Sequence, residues 1–376
     1  MLAHSQEVTV TEQVRIKLTR GVPPVESFPT EHLAECAAAV LAEYGDVVLQ
    51  YGPSRGFPPL LDLIAQEETA VPERQVITGP GSLQLQDFCA RLLCEKDALV
   101  YVEEPSYDRT LTVFRRAGAR VVGFPLEEDG LDVEAVEKRL RQGERPVLIY
   151  LIPDFQNPSG KVLSEEKRHR IVALAREYGF WIIEDAPYRK LRYRGAELSA
   201  LFDLAPERVL FMSSYSKLIS PGLRVGYVVT PAPLADGLAK MAEDTYINPS
   251  YFNQAIVYEF IRRGWLEPHL AQLKSLYAAR LDAMLAALEE HMSALATWSR
   301  PDGGFFIGLT LRRPVPTDEL LARALDYGLV LSDGRGFFAN GGGDGFVRLP
   351  FCSLTPEECT AAVARLAQVV ESLEEE

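Results

Sequence analysis

The chain has 376 residues, with 39 Lys and Arg against 53 Asp and Glu, which gives a net charge of −14. Hydrophobic residues make up 47% and charged residues 24%, globular proportions that exclude a disordered, collagen-like or coiled-coil chain. The length points to two lobes, and the acidic balance argues against nucleic acid as a partner, because phosphate binding needs a net basic surface.

Taken in chain order, the first twenty residues lack an apolar signal core, and no run approaches the ~18 apolar residues of a membrane span. A cytoplasmic protein without membrane contact is expected. The apolar run at 75–78 reads as a strand, and Gly79-Pro80-Gly81-Ser82 turns it into a helix whose face carries Leu85, Phe88, Cys89, Leu92 and Leu93. Further strands are predicted at 98–102, 120–124, 147–151, 180–184, 209–212 and 225–229. These runs are rich in Val, Ile, Leu and aromatics and do not alternate, as expected of strands covered on both faces. Ser164 precedes Glu165-Glu166-Lys167 as the N-cap of a helix with Ile171, Leu174 and Ala175 on its apolar face. Strands alternating with helices predict a mostly parallel α/β sheet of seven strands with helices on both faces.

From Leu266 the pattern changes. Leu270, Leu273, Tyr277, Leu281, Leu285 and Leu288 keep helical spacing over about six turns, long enough to link two lobes. Strands within 297–311 and at 346–351, with helices near 317–327 and 355–373, then suggest a smaller α+β lobe. The expected division is an N-terminal arm and part of the small domain at 1–45, a large α/β domain at 46–290, and a small α+β domain at 291–376.

The five cysteines (36, 89, 94, 352 and 359) are odd in number and lack CxxC spacing, so free thiols in a reducing compartment are expected. The five histidines (4, 32, 169, 269 and 291) are scattered, and no metal site is expected.

Several residues could carry chemistry at the strand ends. Lys217, in Ser213-Ser214-Tyr215-Ser216-Lys217, follows a strand among hydroxyls, where a Schiff-base lysine must be held and partly desolvated. Arg224, with Ser214 and Ser216, could supply a cationic fork and hydroxyls to a phosphate. Asp185 ends the strand at 180–184, and ligands of open α/β sheets bind outside such carboxyl ends. A buried carboxylate there needs a cationic partner, which a protonated pyridine nitrogen would provide. The Gly81-Ser82 turn at a helix N-terminus suits phosphate. Tyr107, after Glu104-Pro105-Ser106, could stack on a ring, and Asn157 could donate to a ligand oxygen. Tyr188 follows Asp185 by three residues. Singly, each feature is also a turn former, a cap or a surface side chain. Together they make a phosphate site, a ring stacker, a pyridine-nitrogen partner, phenol-oxygen donors and an amine, which is what pyridoxal 5′-phosphate needs.

On these segments the chain resembles a pyridoxal-phosphate enzyme of fold type I, and more closely the class I/II aminotransferases of the 2-aminoadipate and kynurenine aminotransferase subgroup. The resemblance runs from about residue 18 to about residue 373 and is also carried by Gln50-Tyr51-Gly52-Pro53, Phe155-Gln156-Asn157-Pro158-Ser159-Gly160, Pro221-Gly222-Leu223-Arg224, Gly303-Gly304-Phe305, Phe337-Phe338-Ala339-Asn340-Gly341-Gly342-Gly343 and Arg348-Leu349. It implies that Lys217 bonds the cofactor and later moves the substrate α-proton, and that Asp185 keeps the pyridine nitrogen protonated. Tyr107 would stack on the ring, while Asn157 and Tyr188 would bond its phenolic oxygen. Gly81, Ser82, Leu83, Ser214, Ser216 and Arg224 would hold the phosphate. Tyr51 would reach the phosphate of the other subunit in a homodimer with shared sites. Arg348 would pair with the substrate α-carboxylate, and Gly21 would line the substrate pocket. The implied reaction is ping-pong transfer of an amino group from an L-α-amino acid to a 2-oxo acid, 2-oxoglutarate foremost. A lyase, decarboxylase or racemase on the same fold is the alternative. A transcription regulator built on a related domain is a third reading, set against the acidic charge and the roughly 20 residues that precede the resemblance.

Four positions depart from the family pattern. Arg20 precedes Gly21 where two glycines are common, Leu83 replaces a frequent Gln, Asp333-Gly334-Arg335 replaces a Pro-Gly, and Pro350 follows Arg348-Leu349. The changes gather where the substrate pocket is expected, so either Arg20 or Arg335 helps select the substrate side chain or both are solvated loop arginines.

Overall fold

A computed structural model describes residues 15–67, 71–313 and 315–374. Its strands, in chain order, are β1 (Ile16–Leu18), β2 (Val76–Gly79), β3 (Leu99–Glu104), β4 (Arg120–Glu127), β5 (Gly130–Leu131), β6 (Leu148–Leu151), β7 (Trp181–Asp185), β8 (Val209–Ser214), β9 (Gly226–Val229), β10 (Ala296–Trp298), β11 (Phe306–Leu311), β12 (Leu329–Leu331) and β13 (Phe346–Pro350). The central sheet has the order β2-β9-β8-β7-β6-β3-β4-β5. All seven sequence-predicted strands are there. The eighth, β5, is a two-residue hook antiparallel to β4, too short to leave an apolar run.

β3, β4, β6, β7 and β8 run parallel, so their carboxyl ends share one edge. β9 runs antiparallel to both β8 and β2. Its reversed direction brings the segment before it, with Arg224, to the same edge as the segments that follow β2 and β8. β2, β3, β6, β7, β8 and β9 are buried on both faces, which is why their sequences lack alternation, while β4, toward the edge of the sheet, is buried only near its middle.

Helix Glu165–Tyr178 starts at Ser164, whose hydroxyl accepts from the Lys167 amide, and stops at Gly179 in the left-handed region. Helix Ser82–Leu93 buries Leu85, Phe88 and Cys89 as the spacing predicts, but Gln86 is buried where Leu92 was expected. The long helix Leu266–Met292 spans 27 residues and packs against Pro356–Glu374. β10, β11 and β13 form an antiparallel sheet beside them, while β1 pairs in parallel with β12 and adds the N-terminal segment to this C-terminal part. Helix Thr30–Val48 instead packs on Tyr251–Arg262, through Glu43–Arg262 and Glu35–Arg263 ion pairs and a His32–Trp265 ring contact at 4.2 Å. Among the described residues no helix is long and apolar enough to cross a membrane.

One buried charge cluster fixes the loop after β6. Asp154 accepts from Arg168 at 3.0 Å, Arg192 at 3.1 Å and Arg189 at 3.4 Å. Arg168 is fully buried, and its remaining donors bond the carbonyls of Pro153, Leu163 and Ser199. Arg192 also stacks on Phe155, 4.7 Å from the ring centroid. Removing the carboxylate would leave three guanidinium groups facing one another away from water. Asp154→Ala should therefore lower stability by about 3–5 kcal/mol, read as a shift of the denaturant midpoint at unchanged slope.

Candidate active site at the carboxyl edge of the sheet

The strand ends converge on a cleft of about 670 Å³. Its wall contains Arg20, Gly21, Ser82, Leu83, Tyr107, Asn157, Asp185, Tyr188, Ser214, Ser216, Lys217, Arg224 and Arg348, so sequence positions from 20 to 348 meet in one place. Gly81 lies directly against Arg224.

The phosphate-type cradle follows from register. Gly226 pairs with Gly79 on one side and Ser214 on the other, which sets the Gly81-Ser82 turn beside the β8 end. A Cβ on Gly226 would sit 2.4 Å from the Ser82 amide nitrogen, so only glycine lets the two segments approach. Gly81 has φ +89° and precedes the first turn of Ser82–Leu93, whose free amides favour an anion. Ser214 Oγ lies 2.9 Å from Ser216 Oγ, and Arg224 donates to the Pro80 carbonyl at 3.0 Å.

Asp185 is buried, and its Oδ2 accepts from the Tyr150 hydroxyl at 2.7 Å while Oδ1 has no partner. Burial pushes its carboxyl up to about 6, against the pull of the Tyr150 hydrogen bond. Lys217 Nζ donates to the Gly21 carbonyl at 2.9 Å, and burial lowers its pKa, which favours the neutral, nucleophilic amine. Tyr188 is buried against Phe305 and Phe306, and desolvation holds its phenol well above the usual range.

Arg348 lies between the rings of Phe306 and Phe337, at 4.9 and 4.7 Å from their centroids. It donates to Asn157 Oδ1 at 3.0 Å and to the Thr19 carbonyl at 2.6 Å, and its Nε has no partner. The Phe337 carbonyl accepts from the Ser106 amide at 2.8 Å, which ties that ring to the turn before Tyr107.

Arg20 is exposed on the cleft lip, with no hydrogen bond or ion pair to another described residue. Arg335 lies outside the cleft. Its guanidinium is held by Asp333 at 2.8 Å and Asp318 at 2.7 Å, so the expectation of a pocket role for Arg335 is corrected by its own neighbours. Tyr51 also lies outside this cleft, 75% exposed beside exposed Leu49 and Ile247. Sequence reasoning missed Tyr150, Gln86, Phe306 and the Thr19 carbonyl. Tyr150 reads as one more apolar residue in a strand, and a backbone carbonyl leaves no signal in sequence.

The residues fit pyridoxal 5′-phosphate. An unpaired buried carboxylate oxygen, a cradle kept open by Gly226, a cluster of hydroxyls and a guanidinium, and a buried amine whose pKa is lowered are each what that group calls for.

Comparison with known proteins agrees. The family profile described as aminotransferase class I and II matches residues 14–366. The 2-aminoadipate transaminase of Thermus thermophilus is 35% identical over 357 residues, 94% of this chain and 89% of that protein. The crystal structure of LysN, the alpha-aminoadipate aminotransferase of Thermus thermophilus complexed with N-(5'-phosphopyridoxyl)-L-leucine, superposes with a TM-score of 0.92 at 33% identity, covering 96% of this chain and 94% of that one. The multiple substrate aminotransferase of Thermococcus profundus gives a TM-score of 0.93 at 31% identity, covering 100% and 96%.

Asp185 sets a stability test. Its folded pKa of about 6 exceeds the ordinary 3.8, so its contribution is favourable below pH 4 and is lost as pH rises through 6. Asp185→Asn should then make the cofactor-free protein more heat-stable at pH 7.5, by about 2–3 kcal/mol, with the gap closing as pH falls toward 4. Equal melting temperatures at both pH values would show that the carboxylate is not strained by burial.

Proposed function

The chain belongs to the class I and II aminotransferases and works with pyridoxal 5′-phosphate, and from that premise we propose how its own residues divide the reaction. When bound, the cofactor supplies an electron sink for the pair left on a substrate α-carbon and a store for the amino group. Asp185 Oδ1, which has no protein partner, would accept from the ring nitrogen and keep it protonated. Lys217 would hold the cofactor at its carbonyl carbon, and its amine would be the group that moves the proton at the substrate α-carbon. Tyr107 stacks on the ring, and Asn157 and Tyr188 bond its phenolic oxygen. The amides at Gly81, Ser82 and Leu83 hold the phosphate, with the Ser214 and Ser216 hydroxyls and the Arg224 guanidinium.

Arg348 carries the substrate assignment. Its guanidinium is flattened between two rings with Nε unpaired, which suits a planar α-carboxylate. Gly21 lines the pocket beside it. Arg20, on the lip without a counter-ion, favours a donor whose side chain ends in a carboxylate, and the same charge favours 2-oxoglutarate as acceptor. The name 2-aminoadipate transaminase of the Thermus thermophilus relative supports this direction. Transfer runs as two half-reactions through one site.

The active unit in this reading is a homodimer in the cytoplasm. The exposed Leu49, Tyr51 and Ile247, with the Gly52 amide bonded to Asn248 Oδ1, form an apolar edge that a second copy would cover, delivering Tyr51 to its neighbour's phosphate. Five buried free thiols accord with a reducing compartment. The division at residues 45 and 290 completes the reading.

A panel of amino donors with 2-oxoglutarate tests it. Glutamate should form with parallel double-reciprocal lines, fastest with acidic donors. A panel in which only another 2-oxo acid is aminated would overturn the acceptor assignment.

Two variants separate the roles of the arginines. Arg348→Lys should raise KM for every donor by about tenfold or more, because lysine keeps the charge and loses the fork. Arg20→Ala should lower kcat/KM for acidic donors by about tenfold relative to neutral ones, and unchanged relative efficiencies would remove Arg20 from the pocket.

A further inference from the structure

Asp185 does not stand alone behind the cleft. Tyr150 is fully buried in β6, paired in register with Ile183 of β7, so its ring lies on the sheet face that Asp185 also uses. A tyrosine buried inside a sheet needs a partner for its hydroxyl. Asp185 Oδ2, at 2.7 Å, is that partner.

The phenol has a second neighbour. Thr110, fully buried on helix Asp108–Arg116, lies beside the Tyr150 phenol and donates its hydroxyl to Gln86 Oε1 at 3.1 Å. Gln86 is 1% exposed on helix Ser82–Leu93, lines the cleft, and has no partner for Nε2. Four polar side chains from four elements thus run in series beneath the cleft. The two ends, Gln86 Nε2 and Asp185 Oδ1, are the atoms left unpaired.

We propose that Gln86, Thr110 and Tyr150 are positioning residues that hold Asp185 with Oδ1 turned into the cleft, and so set how firmly this protein grips a protonated ring nitrogen. The inference rests on the assignment of Asp185 to that nitrogen.

The physical need is plain. A carboxylate turns easily about its last torsion, and its two oxygens are equivalent until one is bonded. Tyr150 claims one and leaves the other. The Thr110 hydroxyl, fixed by its bond to Gln86, sits beside the phenol as a polar neighbour in a buried place and limits where the phenol oxygen can lie. Thr110 is held in turn by Gln86. Four apolar side chains would fill the same space with less desolvation, and three hydroxyl and amide groups placed in series there do nothing for packing. The other titratable groups facing Asp185 are Glu103 on β3, Tyr107 and Tyr188, which act on it through space and not through a hydrogen bond.

The test compares Tyr150→Phe, Thr110→Val and their double variant with the parent enzyme. The readings are the dissociation constant for pyridoxal 5′-phosphate, kcat and KM for one donor, and the melting temperature of the cofactor-free protein. Tyr150→Phe should weaken cofactor binding by about tenfold or more, the value of a hydrogen bond to a charged group. It should lower kcat while the donor KM stays within about twofold. Thr110→Val, with the phenol in place, should move both in the same direction by less. The double variant should be no worse than Tyr150→Phe, because links in series do not add.

Parent-like cofactor affinity and kcat in Tyr150→Phe would overturn the proposal. So would a fall in melting temperature alone, which is what a packing role predicts. If Tyr150→Phe does not fold, Thr110→Val decides by the same readings. Asp185→Asn is the reference arm. If it keeps parent affinity, the Asp185 assignment has failed. If it loses affinity while Tyr150→Phe and Thr110→Val do not, only the positioning chain has failed.

Discussion

Asp185 ends β7 buried, with one oxygen bonded to Tyr150 and the other without a partner. A carboxylate in that place is unfavourable without a cation, and much of the surrounding fold follows from putting it there. Parallel strands β3, β6, β7 and β8 bring Tyr107, Asn157, Asp185 and Lys217 to one edge. The reversed β9 adds Arg224 to that edge, and the glycine between Gly79 and Ser214 lets the phosphate-type turn close against it. The burial of Asp185, Lys217 and Arg348 destabilises the empty protein, as expected of a site whose polar atoms await partners.

The N-terminal segment offsets part of that penalty. It contributes carbonyl oxygens to the cleft, from Thr19 to Arg348 and from Gly21 to Lys217, while Cys352 lies 3.7 Å from the Val22 carbonyl. Arg280 ties the same segment down, bonding Glu26 and the Cys352 carbonyl. These carbonyls satisfy donors that burial would otherwise leave unpaired. The Asp154 cluster does the equivalent for the loop that carries Asn157, with a carboxylate in place of carbonyls.

The parts of this arrangement visible in the sequence are those written as local pattern. Apolar runs marked the seven long strands, Ser164 marked a helix start, and the residues following strand ends marked most of the cleft wall, because strand direction alone puts them on one edge. What escaped was written in three dimensions. Gln86 occupies an expected helix surface in the spacing, yet it is buried by its contact with Thr110. Arg168 sits in a charged stretch, Glu-Glu-Lys-Arg-His-Arg, that reads as a solvated face, and only the fold shows it paired with Asp154. Arg335 looked like Arg20 in sequence; the two differ because Asp318, seventeen residues away, reaches one and no described carboxylate reaches the other. β1 and β12 are three residues each, and their pairing depends on a partner more than 300 positions distant.

The acidic chain and its anion-binding cleft are reconciled by the identity of the partners. Elsewhere in the molecule arginines are matched by carboxylates, as at Asp154, Glu137 and Glu259. In the cleft the nitrogen donors are matched by neutral oxygens: Lys217 by the Gly21 carbonyl, Arg224 by the Pro80 carbonyl, and Arg348 by the Thr19 carbonyl and the Asn157 amide. A neutral partner satisfies a donor without cancelling its charge. Of the carboxylates in the cleft wall, Asp108 and Asp333 are paired with Arg109 and Arg335, and burial raises the pKa of Asp185 to about 6. A net charge of −14 therefore surrounds a pocket in which Arg224 and Arg348 are bonded to neutral oxygens, and low-dielectric walls let their charge act on a phosphate and a carboxylate at short range.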